Sequence, residues 1–226
     1  LTCALPIYNA ETELEVKECK ERWGKTPTKL CEDLGMYEYG GGGFHCVHME
    51  DEDFDIMKKH GLYAVTNPCS NAKLASGIAP IKRYIDEKIP VAIGTDGPAS
   101  NNSLDFFKEM YLMSTLAKLK EKDAACISAD EVLYSATAVG ARCMGLYDCD
   151  CLDVGKKADL VMIDLNMPNM QPENNIIKNI VYSGSKQNVI MTMVDGKILY
   201  EDGKFNIGFD KEDIFKRANS IIGRVK

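Results

Sequence analysis

The chain predicts an α/β fold: a layer of buried parallel strands with helical crossovers, followed by a smaller antiparallel layer. Three observations predict it. From Phe44 to about Tyr147, short apolar runs alternate with longer amphipathic segments. Those amphipathic segments are long enough to act as crossovers, so the strands they join are parallel, in a sheet either doubly wound or closed as a (β/α) barrel. After Asp148 the texture changes to alternating apolar runs joined by "VDGK" and "EDGK", the turn signals of antiparallel strands.

In chain order, "ETELEVKECKERWG" reads as the start of a helix. "FHCV", "LYAVT" and "PVAIGT" read as buried strands, each bounded by Gly, Pro or a charged cluster. Between and after them, "DEDFDIMKKHG", "IAPIKRYIDEK" and "SLDFFKEMYLMSTLAKLK" carry apolar residues at helical spacing. "ISADEVLYSATAVGARCMGLY" adds a further helix, with Ser128 as N-cap and Glu131 completing a capping box. "KKADLVMIDL", "NVIMTMVDG" and "KILYEDGKF" form the second layer, and "DKEDIFKRANSIIGRVK" a surface helix.

Composition narrows the function classes. The chain has 226 residues, 45% of them hydrophobic, which is ample for a core. A net charge of -7 and the lack of any basic run beyond a residue pair argue against nucleic acid or an anionic membrane as main partner. A small molecule is the expected partner. Nine scattered cysteines and no secretory signal point to free thiols in a reducing cytoplasm. Cys149 and Cys151 make a C-x-C pair, but a structural zinc site needs two more soft ligands and none is near in sequence.

Active sites of β/α folds lie at the carboxyl ends of the strands. At one such end Asp96 follows "PVAI" in "GTDGPASNNSLD". A carboxylate there can ligate a metal and take a proton from bound water, or serve simply as a turn residue. In "FHCVHMEDED", His45 and His48 are three apart. On a continuous strand that offset sends them to opposite faces, so one can enter a site while the other packs or caps. The loop "TNPCSNAKLASGIAP" offers Asn67, Ser70, Asn71 and Lys73 to a pocket. Glu11 stands at the mouth of the first helix, where the dipole favours a carboxylate whatever its role.

Taken in order, "NAETELEVKECKERWGKTP", "HCVHMEDED", "NPCSNAKLASGIAP", "GTDGPASNNSLDFFKEM" and "GKKADLVMIDL" resemble the C-terminal half of the amidohydrolase superfamily. The branch most resembled contains S-adenosylhomocysteine, 5'-methylthioadenosine and adenosine deaminases, with s-triazine chlorohydrolases and guanine deaminases as relatives. The resemblance implies the C-terminal part of a (β/α)8 TIM-like barrel over residues 9–147, part of a small β-sandwich over 148–205, and a terminal helix over 206–226. It implies one Zn2+ or Fe2+ ion per active site of the parent, a nucleoside-like substrate and hydrolytic deamination, with homo-oligomerisation left open. Asp96 matches the metal ligand that accepts the water proton, His45 the residue that orients the water, and Glu11 the group that protonates the ring nitrogen. Asn67, Ser70, Asn71 and Lys73 would shape the substrate pocket.

The departures from the family pattern are specific. No H-x-H pair precedes Asn9, Tyr8 stands where a metal-binding His is expected, and Thr66 stands where many relatives carry another His. Asp96 is then the one matching ligand, and one carboxylate does not hold zinc against water. The expectation is a fragment that neither retains metal nor turns over by itself. Residues 1–8, "LTCALPIY", read as a leader foreign to the domain. Thr2–Ile7 back-translates to a string resembling a common sequencing adaptor, which makes Tyr8 readable as a His codon that lost its first base.

Overall fold

A computed structural model describes residues 6–225 of the chain. The first sheet is four parallel strands in sequence order: β1 (Ile7–Asn9), β2 (Gly42–His45), β3 (Tyr63–Thr66) and β4 (Val91–Ile93). Ile7 pairs with Gly43, Gly43 with Ala64 and Ala64 with Val91, so one level of the sheet runs straight across all four strands. Helices α1 (Glu13–Trp23) and α2 (Pro27–Asp33) join β1 to β2, α3 (Asp51–His60) joins β2 to β3, and α4 (Pro68–Lys73) with α5 (Ile81–Asp86) joins β3 to β4. After β4 come α6 (Pro98–Asn101), α7 (Phe106–Glu121), α8 (Ala129–Tyr134) and α9 (Gly140–Cys143).

Local chemistry sets the helix limits. The Thr12 hydroxyl accepts from Glu15 N at the start of α1, and Gly24 ends it in the left-handed conformation at φ 68°. Glu50 and Asp53 form a capping box at α3, and Ser128 and Glu131 form the expected one at α8. The single helix expected to follow Ser128 is continuous through Cys143, with a π-helical stretch over Ser135–Val139 between α8 and α9, and Gly145 at φ 72° turns the chain away.

The core lies between the sheet and α3, α5, α7 and α8, centred on Phe54, Tyr84, Met57, Ile93, Met113 and Val132. Phe54 and Tyr84 stack at 5.0 Å, and the Arg83 guanidinium lies 3.7 Å from the Phe54 ring centre. The Tyr84 hydroxyl donates to Cys46 O at 2.7 Å, which ties this core to the chain just beyond β2. On the other face of the sheet, Val65 and Ala92 pack with Val139 and Cys143.

The second sheet is antiparallel: β5 (Leu160–Ile163), β6 (Val189–Val194), β7 (Lys197–Glu201) and β8 (Lys204–Phe205), with α10 (Ile176–Tyr182) between β5 and β6. Helix α11 (Lys211–Val225) closes the chain, starting later than the expected boundary at 206. No helix among the described residues is long and apolar enough to cross a membrane.

Two expectations about the start of the sheet need correction. The boundary drawn after residue 8 falls inside β1, because Ile7 and Tyr8 pair in register with Gly43 and Phe44. The part of the proposed leader over residues 1–5 lies outside the described residues. The second strand is Gly42–His45 rather than "FHCV", and ends where His45 and Cys46 turn left-handed at φ 69° and 47°. His48 is therefore off the strand, and alternation does not govern it. Its Nε2 donates instead to Ser76 O at 2.6 Å.

Candidate functional site

The carboxyl ends of the four strands converge on one polar cluster, and three of those ends turn through left-handed residues. Ala10 has φ 50°, His45 φ 69° and Asp96 φ 58°. Such backbone costs about 1–2 kcal/mol per non-glycine residue and persists where surrounding bonds over-determine it. The bonds are present. Asn9 O accepts from Cys46 N at 3.0 Å, and Ala10 O accepts from Val47 N at 3.1 Å and His48 N at 3.0 Å. Ala10 N and Glu11 N both donate to the Glu15 carboxylate, at 3.0 and 2.7 Å.

These turns bring Glu11 and His45 together from residues far apart in sequence. Glu11 Oε1 accepts from the Ser76 hydroxyl at 2.9 Å, and its Oε2 stands 3.8 Å from His45 Nε2. The His45 ring is buried, its Nδ1 lies 2.7 Å from Asn71 Oδ1, and its Nε2 has no hydrogen-bond partner among the described residues. Buried polar atoms are nearly always hydrogen-bonded, so this nitrogen is free to meet a water or a ligand.

Asp96 is the most heavily bonded group of the cluster. Its Oδ1 accepts from Tyr8 Oη at 2.6 Å and from Gly97 N at 2.7 Å, and its Oδ2 accepts from the hydroxyls of Ser70 and Ser100, each at 2.6 Å. Burial would raise its pKa, but Ser100, Ser70, Tyr8 and Gly97 N–H outweigh burial and hold the carboxyl well below the usual range. The bond to Asp96 chiefly raises the pKa of the Tyr8 phenol, with partial burial and the charges of Asp96 and Glu11 adding to it. The Tyr8 ring also stands 5.0 Å from that of His45.

The pocket-loop residues divide. Ser70 and Asn71, adjacent on α4, reach Asp96 and His45 respectively. Asn67 is buried, and neither atom of its amide finds a partner among the described residues. A Cβ on Gly94 would meet Asn67 Oδ1 at 2.4 Å, so glycine there is what admits this side chain. Lys73 is exposed and donates to Ala99 O at 2.8 Å and to Asn102, tying α4 to the loop after Asp96.

Three participants were not singled out from sequence. Ser76 and Ser100 lie inside the quoted loop motifs, yet nothing in a serine's local pattern marks which carboxylate it serves. Glu109, fully buried on α7, accepts from Cys69 N at 2.9 Å and from Asn101 Nδ2 at 2.5 Å. It clamps α4 and the Asp96 loop together from behind. A carboxylate on a helix rich in apolar residues was the available signal.

The donor set does not fit a bound metal ion by itself. No group of three or more His, Cys, Asp or Glu side chains able to hold one occurs among the described residues, Cys149 and Cys151 included. Asp96 already accepts four hydrogen bonds, and the phenol beside it is a donor rather than a ligand.

Carboxylates and an imidazole thus gather at the carboxyl ends of four parallel β/α strands, the end at which folds of the α/β class place their sites. A model of the amidohydrolase family matches residues 6–199, and the chain belongs to that family. It is 40% identical to the 5-methylthioadenosine/S-adenosylhomocysteine deaminase of Caldanaerobacter subterraneus subsp. tengcongensis over 228 residues, covering 98% of this chain and 52% of the relative. It is also 40% identical to the enzyme of that name from Dictyoglomus turgidum over 226 residues, covering 98% and 53%. The chain thus spans about half the length of the curated relatives it matches. Among solved structures it is similar to an adenosine deaminase from Xanthomonas campestris with bound zinc, with a TM-score of 0.91 and 30% identity over 96% of this chain and 50% of that one. An atrazine chlorohydrolase from Arthrobacter aurescens shares the fold, with a TM-score of 0.87 at 22% identity, covering 96% and 48%.

Proposed function

We propose that this chain is the C-terminal half of a cytoplasmic, metal-dependent hydrolytic deaminase of adenosine-type nucleosides, including S-adenosylhomocysteine and 5'-methylthioadenosine. The observation that carries the reading is the convergence of Glu11, His45 and Asp96 in a chain about 40% identical to enzymes of that name. In this reading residues 9–147 are the second half of a (β/α)8 barrel, 148–205 part of a β-sandwich and 206–226 a terminal helix. Tyr8, which pairs with Phe44 in β1, holds the place of a histidine.

The surroundings of these residues support the roles that the family resemblance implies for them. Glu11, supported by Ser76, sits beside His45 Nε2 and can pass a proton to a substrate ring nitrogen. His45 offers its unpartnered Nε2 to the attacking water. Asn67, Ser70, Asn71 and Lys73 shape and brace the pocket. A divalent ion, Zn2+ or Fe2+, would need donors beyond those described here in addition to Asp96.

A second reading applies to the chain as it stands: it is catalytically silent. The described residues offer no group of three or more ligating side chains, and Tyr8 donates to Asp96 where the family resemblance places a metal-binding histidine.

One pair of measurements tests both. The 226-residue chain should release no ammonia from adenosine, 5'-methylthioadenosine or S-adenosylhomocysteine, and should retain far less than one zinc per chain after dialysis. The same chain with Tyr8→His, joined to the N-terminal half of the Caldanaerobacter relative, should deaminate at least one of the three. In that protein Glu11→Gln should lower kcat by about 10²–10⁴. Turnover by the unjoined chain would end the second reading, and a folded, metal-loaded fusion without deaminase activity would end the first.

A further inference from the structure

We infer that Asn71 is a positioning residue which sets the tautomer of His45, rather than a substrate contact. The inference deepens the proposed role of His45 in orienting water and rests on that reading for its functional meaning. The geometry stands independently. His45 is 1% exposed and Asn71 2% exposed, so water does not choose the tautomer for them. Asn71 directs its carbonyl oxygen at His45 Nδ1 from 2.7 Å, and a carbonyl oxygen only accepts. The proton must therefore sit on Nδ1, which in the neutral ring leaves Nε2 as a lone pair. That lone pair has no partner among the described residues and faces Glu11 Oε2 at 3.8 Å. With the opposite tautomer, Nε2–H would be a buried donor with no acceptor within hydrogen-bonding distance, a rarer and costlier arrangement than an unpaired acceptor.

The backbone fixes where Asn71 stands. Asn71 is held in α4 by its N–H to Asn67 O at 2.9 Å, and its own carbonyl accepts from Ser76 N at 2.9 Å. Ser70, one residue earlier, donates to Asp96, and Cys69 N, one earlier still, is held by buried Glu109. One short helix thus orients the imidazole and the carboxylate together. The other two histidines have the opposite pattern. His48 Nε2 meets Ser76 O at 2.6 Å and His60 Nε2 meets Glu32 Oε1 at 3.0 Å, and both acceptors call for a proton on Nε2.

The test is a long-range 1H–15N correlation spectrum of the 226-residue chain labelled at histidine nitrogens, with His48→Gln and His60→Gln used for assignment. It is recorded at about pH 8.5, roughly two units above the ordinary imidazole pKa. The expected spectrum has His45 as the Nδ1–H tautomer and the other two as Nε2–H. Asn71→Asp keeps the acceptor and should keep the His45 pattern. Asn71→Ala should convert His45 to mostly Nε2–H while circular dichroism stays unchanged. An Nε2–H pattern for His45 in the unsubstituted chain overturns the inference, as does an Nδ1–H pattern that survives in folded Asn71→Ala. If Asn71→Ala does not fold, the unsubstituted and Asn71→Asp spectra decide. No turnover is measured, so failure here leaves the deaminase reading standing, and failure of the fusion enzyme leaves the tautomer standing.

Discussion

The two sheets of this chain treat their apolar residues in opposite ways. In β3 and β4, Ala64, Val65, Thr66, Val91, Ala92 and Ile93 are all buried, because helices cover one face of the strands and α9 with the preceding π-type turn packs on the other. In the antiparallel sheet, adjacent residues Val161 and Met162 are 53% and 48% exposed although they point to opposite faces. Phe205 is 54% exposed, and Met191 is the buried apolar residue of β6. Parallel sheets occur almost only with both faces covered, whereas an antiparallel ladder tolerates water, and here residues of both its faces are exposed. The site lies in the well-packed region, where strained turns at Ala10, His45 and Asp96 have a rigid base to work against.

The largest expected contrast is in core truncation. Phe54→Ala should cost about 3–5 kcal/mol in urea unfolding, while Val161→Ala should fall within about 0.5 kcal/mol of the parent. Comparable losses would mean that the second sheet has a core of its own. Next comes Glu109→Gln, expected to cost about 1.5–3 kcal/mol. A glutamine amide keeps only one acceptor oxygen for the two donors that Glu109 now serves, and its NH2 opposes the other. A neutral result would show that α4 and the Asp96 loop do not depend on the clamp.

Acid should strike the site region through Asp96. Its native pKa is depressed, so its contribution is fully present above the unfolded value near 3.9 and is lost as pH falls below that toward the native pKa. Asp96→Asn should flatten that part of the stability–pH curve, and a curve of unchanged slope below about pH 4 would refute the linkage. The smallest expected effect is on thiols. Burial pushes Cys46 and Cys69 up to about 12, aided at Cys69 by Glu109, so both should resist iodoacetamide at pH 8 until the chain unfolds. Exposed Cys151 should react at once, and its alkylation should move the unfolding free energy by no more than about 0.5 kcal/mol. Rapid labelling of Cys46 in native buffer would mean that the parallel region opens far more readily than its packing implies.

Much of this architecture was readable in advance from particular residues. Apolar runs bounded by Gly and Pro located β3 and β4, and Ser128 with Glu131 located the start of α8. Asp96 stood out because it follows a buried strand between two glycines. Other features had no local signal. "IY" at positions 7 and 8 has no period to read, and becomes a strand only because Gly43 and Phe44 pair with it. His45 enters the site and His48 packs elsewhere, but alternation is not the reason, because the left-handed turns at His45 and Cys46 end the strand early.

By itself the sequence determined where β3, β4 and the longer helices lie, how the second region differs from the first, and which strand ends carry carboxylate and imidazole. Hydrophobic period and capping act over a few residues, so they survive in a linear reading. Only the tertiary structure decided that Tyr8 donates to Asp96 across 88 positions, that Ser76 serves Glu11 across 65, and that Asn71 faces His45 Nδ1 with its oxygen. Those choices depend on hydrogen-bond distance and direction between distant segments, which have no period and are set once the sheet has brought its strand ends together.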